Sequence, residues 1–350
     1  MSPRALVIAS AVLTMGALIV GAGVTAASVL KPAARAGRST AAARGRGSQT
    51  TEGSGTVATP DVQVTEGICT APAAYAKLAA QLSADIQGAL RGRTGNHAVT
   101  VADTVTGVSC AINEDRHFDS ASIVKAIILA AQLRWHQETG TPLSPEEQQE
   151  ATLMITQSDN DAATDLWDEV GMSRLQHFLD LAKMDQTRLG QDGYWGLTQV
   201  TAHDELRLLE LLTQSNSVLT AASRSYQLGL MSQVISSQRW GTPAGAPSDV
   251  TVHVKNGWLP DGTGWHINSI GAFTGKDKNY LIAVLTDEDP SEQYGIDTVE
   301  AVARVAHRDL NDQKLVPNAR LAANVAPSRS ASTRAASSRA VVPALPTPTR

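Results

Sequence analysis

The sequence predicts an α+β fold: a five-stranded antiparallel sheet flanked by helices and packed against an all-helical block. Apolar residues at helical spacing fill the middle of the chain, and stretches that alternate between apolar and polar residues lie on both sides of that middle. Because the predicted strands form an early and a late group, a single sheet closes only if its first and last segments meet.

The first half of the predicted domain begins with an amphipathic helix over residues 73–91. Its apolar residues recur every four positions, at Leu78, Leu82, Ile86 and Leu90. Residues 97–105 and 108–113 alternate in strand fashion and are joined by a turn at Gly107. Residues 122–136 return to helical spacing and are predicted to form the next helix.

The second half continues with helical patterns and then returns to strands. Four helical segments are predicted, over residues 146–156, 160–171, 173–182 and 203–212. Three strands joined by Gly/Asp turns follow, over residues 250–255, 265–274 and 280–286. A last helix is predicted over residues 292–310, and no internal repeat is visible.

The length of the chain suits one globular domain between two segments that lack a folding pattern. The domain is predicted over residues 68–313, long enough to bury a sizeable core. Residues 1–30 have the composition of a signal peptide or membrane anchor, since Arg4 precedes an uncharged apolar run. Residues 31–67 are predicted to be a flexible linker, and residues 314–350 a disordered basic tail.

The apolar run at residues 5–30 predicts that the N-terminal segment engages the membrane and the export machinery. Residues 24–27 suit cleavage by signal peptidase, while retention as an anchor stays an open alternative. The basic cluster at residues 31–46 favours the cytoplasm by the positive-inside rule, but the motifs described below favour export to the cell envelope or the medium. No cysteine lies near the run, so lipid attachment there is not predicted.

The charge of the chain excludes one class of partner. The net charge is −5, and both ends are basic, so the predicted domain is more acidic than the whole chain. An acidic surface repels the phosphate backbone, which excludes nucleic acid as a partner. The basic ends are better suited to anionic lipid or wall polymer.

Cys69 and Cys110 are the only cysteines. In an exported chain an even pair predicts a disulfide, here between the segment before the first helix and the second strand. Two buried thiols are the alternative. No histidine stands beside either cysteine at the spacing of a zinc site.

Ser122 and Lys125 form an S-x-x-K pattern, which places a hydroxyl and an amine on one helix face. The start of a helix favours the negative charge that develops on an attacking oxygen. Desolvation lowers the pKa of an amine until it can accept the proton of the serine. The alternative is a helix cap with a solvated lysine, and Ser28 with Lys31 matches the same spacing.

The tripeptide Ser158-Asp159-Asn160 precedes a predicted helix, where Ser, Asp and Asn also serve as N-caps. The functional interpretation gives Ser158 a hydroxyl that relays a proton between two lysines. It gives Asn160 an amide that contacts a substrate carbonyl.

The tripeptide Lys255-Asn256-Gly257 follows a predicted strand. A lysine at this position can bind a substrate carboxylate, and Gly257 lets a ligand backbone approach the strand edge. An ordinary turn is the alternative for these three residues considered alone.

Together, on a helix, a loop and a strand in this order, the three clusters resemble the S-x-x-K, S-D-N and K-T-G motifs of class A β-lactamases and penicillin-binding proteins. The resemblance covers most of residues 68–313, and only Asn256, in place of threonine, departs from the three motifs. It implies the serine β-lactamase or transpeptidase-like fold. It also implies a serine hydrolase that forms an acyl-enzyme and uses no cofactor and no metal.

The resemblance assigns a role to each matching residue. Ser122 is expected to be the acylated nucleophile, Lys125 its general base and Ser158 the proton shuttle. The residues expected to bind substrate lie in the same motifs or directly after them: Asn160, Lys255, Asn256, Gly257 and Trp258. The backbone N–H groups of Ser122 and Trp258 are expected to form the oxyanion hole.

One departure bears on turnover. Class A β-lactamases carry a glutamate, in an E-x-x-L-N pattern after S-D-N, that activates the deacylating water. In this sequence the matching stretch puts Tyr194 at the place of that glutamate, and Asp192 is the nearest carboxylate. Slow hydrolysis of the acyl-enzyme is therefore expected unless Asp192 replaces the glutamate.

The resemblance implies β-lactams or peptidoglycan-type peptides ending in D-Ala-D-Ala as substrates, with β-lactamase action as the first function. A peptidoglycan D,D-carboxypeptidase or transpeptidase is the nearest alternative. A non-enzymatic sensor of wall fragments or β-lactams is the alternative from another class, and a glutaminase ranks third. The oligomeric state does not follow from the sequence.

Overall fold

The protein is described by a computed structural model over residues 63–316. The predicted signal segment, residues 31–62 of the predicted linker and residues 317–350 of the predicted tail lie outside the described residues. Across residues 63–316, none of the helices combines the length and the apolar composition that crossing a bilayer requires.

The strands of the described region form one large sheet and one small one. Their bounds are β1 (Gln63–Glu66), β2 (Cys69–Pro72), β3 (Asn96–Asp103), β4 (Val108–Ile112), β5 (Phe118–Asp119), β6 (Gln199–Val200), β7 (Val250–Pro260), β8 (Trp265–Gly275) and β9 (Lys278–Asp289). Seven of them form an antiparallel sheet in the order β1-β2-β4-β3-β9-β8-β7, and β5 pairs with β6. As predicted, the early and late strands meet, where β3 pairs with β9.

The sheet has two strands more than the five predicted. The additional strands, β1 and β2, have four residues each and are too short to show an alternating pattern. β1 falls inside residues 31–67, which were predicted to be a flexible linker, so residues 63–66 of that segment belong to the sheet.

The α-helices agree with the predicted order apart from one addition and one fusion. Their bounds are α1 (Ala76–Leu90), α2 (Val124–Thr139), α3 (Pro145–Thr156), α4 (Asn160–Ala182), α5 (Ala202–Thr213), α6 (Ala221–Ser232) and α7 (Glu292–Leu310). α6 was not predicted. α4 joins two predicted helices across a kink at Gly171, whose φ of 73° interrupts the helical backbone.

The sheet separates two cores, as the alternation of its strands requires. On β9, Leu281, Ala283 and Leu285 pack against the helical block formed by α2 to α6. The intervening Ile282 and Val284 pack against α1 and α7 on the opposite face. The flanking helices and the helical block therefore lie on different sides of the sheet, as predicted.

α2 lies inside the helical block. Every residue from Val124 to Leu133 is buried, on all sides of the helix. A helix that is apolar all round must lie within a core, so the side chain of Lys125 is removed from water by the position of its helix.

Cys69 on β2 and Cys110 on β4 lie directly opposite each other and form a disulfide. The predicted pairing is confirmed. The bond ties the strand before α1 to the β3–β4 hairpin.

Candidate active site

Ser122 lies in a short 3₁₀ turn, Ala121–Ile123, that leads directly into α2. Ala121, the residue before it, has a φ of 46°. This left-handed conformation is costly for a residue with a Cβ atom and is concentrated at functional sites. The turn presents the Ser122 backbone N–H near the start of α2, where the helix dipole favours negative charge.

The backbone before Ser122 is held by hydrogen bonds to Thr198 and to the sheet residue Asn268. The Ser120 N–H donates to the Thr198 carbonyl at 2.8 Å. From β8, the Asn268 amide donates to the Asp119 carbonyl at 2.8 Å and to the Ser120 carbonyl at 3.1 Å. Sequence reasoning missed Asn268, although an asparagine inside an apolar strand was a usable signal because a buried amide needs a partner.

Gly257 packs directly against this turn. A Cβ atom at position 257 would lie 2.7 Å from the Ser122 nitrogen and 2.8 Å from the Ser120 carbonyl oxygen. Only glycine lets β7, one of the two edge strands of the sheet, approach so closely. The third motif is therefore in contact with the first.

The Lys125 ammonium is saturated with hydrogen bonds to the second motif. Its Nζ donates to the Ser158 carbonyl at 2.6 Å, to Ser158 Oγ at 3.2 Å and to Asn160 Oδ1 at 2.7 Å. These three acceptors match the three donors of an ammonium group.

Lys255 reaches the same hydroxyl from the strand. Its Nζ donates to Ser158 Oγ at 3.0 Å and to the Asn256 carbonyl at 2.9 Å. Ser158 Oγ thus bridges two amines that lie 130 positions apart in the sequence. Lys125, Ser158, Asn160 and Lys255 form one hydrogen-bonded network.

Both lysines are buried without a counterion. Lys125 is 0% exposed and Lys255 is 1% exposed, and neither forms an ion pair within residues 63–316. Burial lowers the pKa of Lys125 to about 7, although the charge of Asp159 acts in the opposite direction. Burial, and after it the positive charge of Lys125, hold the pKa of Lys255 well below its usual range.

The local backbone explains how the second motif faces the lysines. The Asp159 side chain accepts a hydrogen bond from the Ala162 N–H at 2.9 Å and caps α4. Ser158, directly before this cap, has a φ of 58°. That left-handed turn brings both its carbonyl and its hydroxyl to Lys125.

Asn256 faces away from the network. Both hydrogens of its amide are used, by the Gln238 carbonyl and the Trp240 carbonyl, each at 2.9 Å. The expectation that the Asn256 side chain binds substrate is therefore corrected: its amide fixes the segment before β7. An asparagine has the two donors that this role needs, and the threonine of the K-T-G motif has one.

A loop over residues 187–201 closes the site on the side of the helical block. Its base is fixed by a bridge in which the backbones of Arg188 and Gln199 exchange two hydrogen bonds of 2.9 Å. Within it, the indole ring of Trp195 lies over the Lys125 ammonium, with its centroid 4.8 Å from Nζ. The indole N–H donates to Thr164 Oγ1 on α4 at 3.2 Å.

The two residues expected near the deacylation position are not at Lys125. Tyr194 is 65% exposed. Asp192 is also exposed, with a φ of 54°. The loop turns so that the neighbouring residue, Trp195, faces the lysine instead, a one-residue offset from the expected position.

The Trp258 side chain lies on the same face of β7 as Asn256, opposite to Lys255, so the expectation that this side chain contacts substrate is corrected. Its ring contacts that of Trp240 edge-on, at a centroid distance of 5.9 Å, and the pair packs against the core beneath α1 and α7.

The hydrogen-bonded motif residues, rather than a deep cavity, identify the site. A depression of about 610 Å³ between α4 and the loop contains none of these residues.

Comparisons with solved structures agree with the fold. TLA-3 extended-spectrum β-lactamase has a TM-score of 0.59 at 16% identity, covering 65% of this chain and 98% of that protein. PBP-A has a TM-score of 0.58 at 20% identity, covering 65% and 95%. An ancestral class A β-lactamase has a TM-score of 0.55 at 23% identity, covering 65% and 99%. Identities this low show the fold alone.

Curated relatives include a protein described as "Putative lipoprotein LppW" from Mycobacterium bovis, and the same protein from Mycobacterium tuberculosis. It is 25% identical over 197 residues, 53% of this chain. The match spans 62% of the relative's length, less than two thirds of it.

The family model of the β-lactamase enzyme family matches residues 135–310, half of the chain. This range includes the second and third motifs and begins after Lys125. With the antiparallel sheet, the helical block and the joined motifs described above, the match identifies this chain as a member of the β-lactamase enzyme family.

Proposed function

We propose that this chain is an exported serine hydrolase that forms an acyl-enzyme on Ser122 with β-lactams or D-Ala-D-Ala-like peptides. The observation that carries the proposal is the pair of buried lysines, free of carboxylate partners, that share Ser158 Oγ beside the Ser122 turn. Uncompensated buried amines destabilise a fold, so their joint presence is better explained by chemistry than by stability.

In the proposed acylation, the neutral amine of Lys125 takes the proton of the Ser122 hydroxyl, one helical turn before it. The Ser122 oxygen then attacks the substrate carbonyl. The backbone N–H groups of Ser122 and Trp258 bind the resulting oxyanion. The pKa of about 7 supports Lys125 in this role, because a general base works best when its pKa is near the ambient pH.

The second and third motifs complete the cycle. Ser158 Oγ, in contact with both amines, passes the proton to the leaving nitrogen. Lys255 binds the substrate carboxylate, and that negative charge raises the pKa of Lys255 so that it stays protonated. A protonated Lys255 in turn keeps Lys125 neutral. Asn160 uses its amide oxygen for Lys125, which leaves its amide hydrogens for a substrate carbonyl.

Among the acyl-transfer functions, a peptidoglycan D,D-carboxypeptidase or transpeptidase is the second candidate. It is favoured by one observation: no carboxylate of residues 63–316 is hydrogen-bonded to Lys125, Ser158 or Lys255, and Trp195 rather than a carboxylate faces Lys125 from the loop. A sensor that is acylated and does not turn over fits the same observation.

A time course with one β-lactam tests the proposal and separates these candidates. The full-length chain is mixed with penicillin G, and its intact mass is followed from seconds to hours. We expect one adduct per chain that clears slowly. Many turnovers would identify an efficient β-lactamase. A lasting adduct with turnover of a D-Ala-D-Ala peptide would identify a carboxypeptidase or transpeptidase, and a lasting adduct without any such turnover would identify a sensor. The absence of any adduct, with D-Ala-D-Ala peptides equally inert, would contradict the proposal.

We also propose that the domain works in the cell envelope. The N-terminal apolar run and the lipoprotein description of the curated relatives support this location. The disulfide is further support, because such bonds persist in oxidising compartments. Fractionation of cells that express the full-length chain tests the location, and recovery in the cytosol with reduced cysteines would contradict it.

A further inference from the structure

The Trp195 ring covers the Lys125 ammonium with an apolar surface. Its centroid is 4.8 Å from Nζ, within the range of a cation–π contact. Thr164 fixes the ring through the indole N–H, and the carbonyl of Gly196, the next residue, accepts a hydrogen bond from Ser120 Oγ at 3.3 Å. The indole is therefore anchored to α4 on one side, and its loop contacts the nucleophile turn on the other.

The lysine beneath this ring has no contact with bulk water. Its side chain is 0% exposed, and Nζ is enclosed by Ser158, Asn160 and the face of the indole ring. A buried water needs two to four polar partners, and the indole face supplies none of them. No carboxylate is hydrogen-bonded to Lys125 within residues 63–316, so that kind of base is also missing beside the lysine.

We infer that Trp195 determines the specificity of the second half-reaction, shielding the Ser122 acyl-enzyme from water so that the acyl group passes to an amine acceptor. This inference rests on the proposed function, since it requires an ester at Ser122. It assigns to the loop a role that neither Tyr194 nor Asp192 can take from their exposed positions.

The transfer balances with an amine as its only co-reactant. The nitrogen of a primary amine, such as the free amino group of a peptide or amino acid, attacks the ester carbonyl. The new C–N bond forms as the bond between the carbonyl carbon and Ser122 Oγ breaks. One amine proton passes through Lys125 to Oγ and restores the hydroxyl, and the product is an amide. Hydrolysis differs only in that water replaces the amine and the product is an acid.

The partition between these products measures the role of Trp195. The full-length chain is given benzoyl-D-alanyl thioglycolate as the acyl donor and D-alanine as the amine, and acid and amide are quantified by mass spectrometry. The adduct on Ser122 is measured by intact mass in the same samples. We expect the wild type to form mostly amide. We expect Trp195→Ala to raise the rate constant of hydrolysis about 100-fold, the lower limit of the range for a general base that gains access to its water.

Two variants separate shielding from a general loss of structure. Trp195→Phe keeps an apolar ring over Lys125 and should restore the preference for the amine. Trp135→Ala removes a partly exposed tryptophan that lies on the same helix as Lys125 and packs on Arg174, and its products should match those of the wild type.

Each outcome decides between the two proposals. An adduct that hydrolyses equally fast in Trp195→Ala and in the wild type would refute the role of Trp195 and leave the proposed function intact. A wild type that forms mostly acid although D-alanine is present would also refute the role of Trp195 and leave the proposed function intact. A wild type that forms no adduct with this donor or with penicillin G would overturn both proposals.

Discussion

The pH dependence of acylation follows from the burial of Lys125. Its amine must be neutral to accept the Ser122 proton, and burial lowers its pKa to about 7. An ordinary lysine, with a pKa of 10.5, holds its proton across the physiological range. In this site about 1% of the amine is neutral at pH 5, about half at pH 7 and about 90% at pH 8.

We therefore expect the second-order rate constant of acylation to rise about 50- to 100-fold from pH 5 to pH 8 as Lys125 loses its proton. At higher pH the rate constant should fall, because Lys255, whose pKa burial also lowers, must keep its proton to bind the carboxylate. The assay is the initial rate of labelling by a fluorescent penicillin, with Ser122→Ala as the background control. Circular dichroism at each pH verifies that the fold persists. Because a guanidinium group stays charged, Lys125→Arg should lose about 10²- to 10⁴-fold in rate and all of the rise from pH 5 to pH 8.

Two results would refute this reasoning. A rate that is constant from pH 5 to pH 9 would mean that no titrating amine takes the proton. A rate that continues to rise towards pH 10.5 would mean that Lys125 keeps the pKa of a solvated lysine and that its burial has no such effect.

Three further expectations concern packing and stability. Gly257→Ala places a Cβ atom 2.7 Å from the Ser122 nitrogen, and overpacking of about 1–3 kcal/mol should slow penicillin labelling about 5- to 150-fold. The control is Gly262→Ala, whose Cβ atom has no neighbour within 4 Å and should leave the labelling rate unchanged. Equal labelling rates in the two variants would contradict the contact between Gly257 and the Ser122 turn. Replacing Cys69 and Cys110 together by serine opens a loop of 41 residues and should lower the free energy of unfolding by about 4 kcal/mol. An unchanged midpoint of urea unfolding would show that the disulfide adds no stability. Burial, and after it the charge of Asp204, raise the pKa of Glu205 well above 4.5. The contribution of this carboxyl to stability is therefore complete below pH 4.5 and is lost as the pH rises towards its pKa in the folded state. The free energy of unfolding should fall by about 1.4 kcal/mol for each pH unit in this window. Glu205→Gln should therefore be more stable than the wild type at pH 8 by a wider margin than at pH 5, and an equal margin in urea melts at both pH values would contradict this.

The parts of the fold that could be predicted are those with a long repeating pattern. The predicted bounds of α7 coincide with the observed ones, and β3 and β4 lie within a few residues of theirs, because many residues alternate or recur in each. β1 and β2 have four residues each, and α6 contains Gly229 among small and polar residues. These elements are stabilised mainly by tertiary contacts, which no local pattern reveals.

The site also has parts that could be predicted from the sequence and parts that could not. The grouping of Lys125, Ser158, Asn160 and Lys255 could be predicted because three motifs in a fixed order identify it. The roles of Asn256 and Trp195 could not. Asn256 is turned by the carbonyls of a distant segment, and the position of Trp195 depends on the bridge between Arg188 and Gln199 that sets the path of the loop.

Peptide mapping of the acylated protein tests most directly whether the three motifs serve one nucleophile. The full-length chain is labelled with penicillin G, digested and sequenced by mass spectrometry, beside Ser122→Ala and Ser120→Ala. We expect one adduct, on the oxygen of Ser122, absent from Ser122→Ala and present in Ser120→Ala. An adduct on any other residue, or labelling that survives Ser122→Ala, would contradict the assignment of Ser122 as the nucleophile.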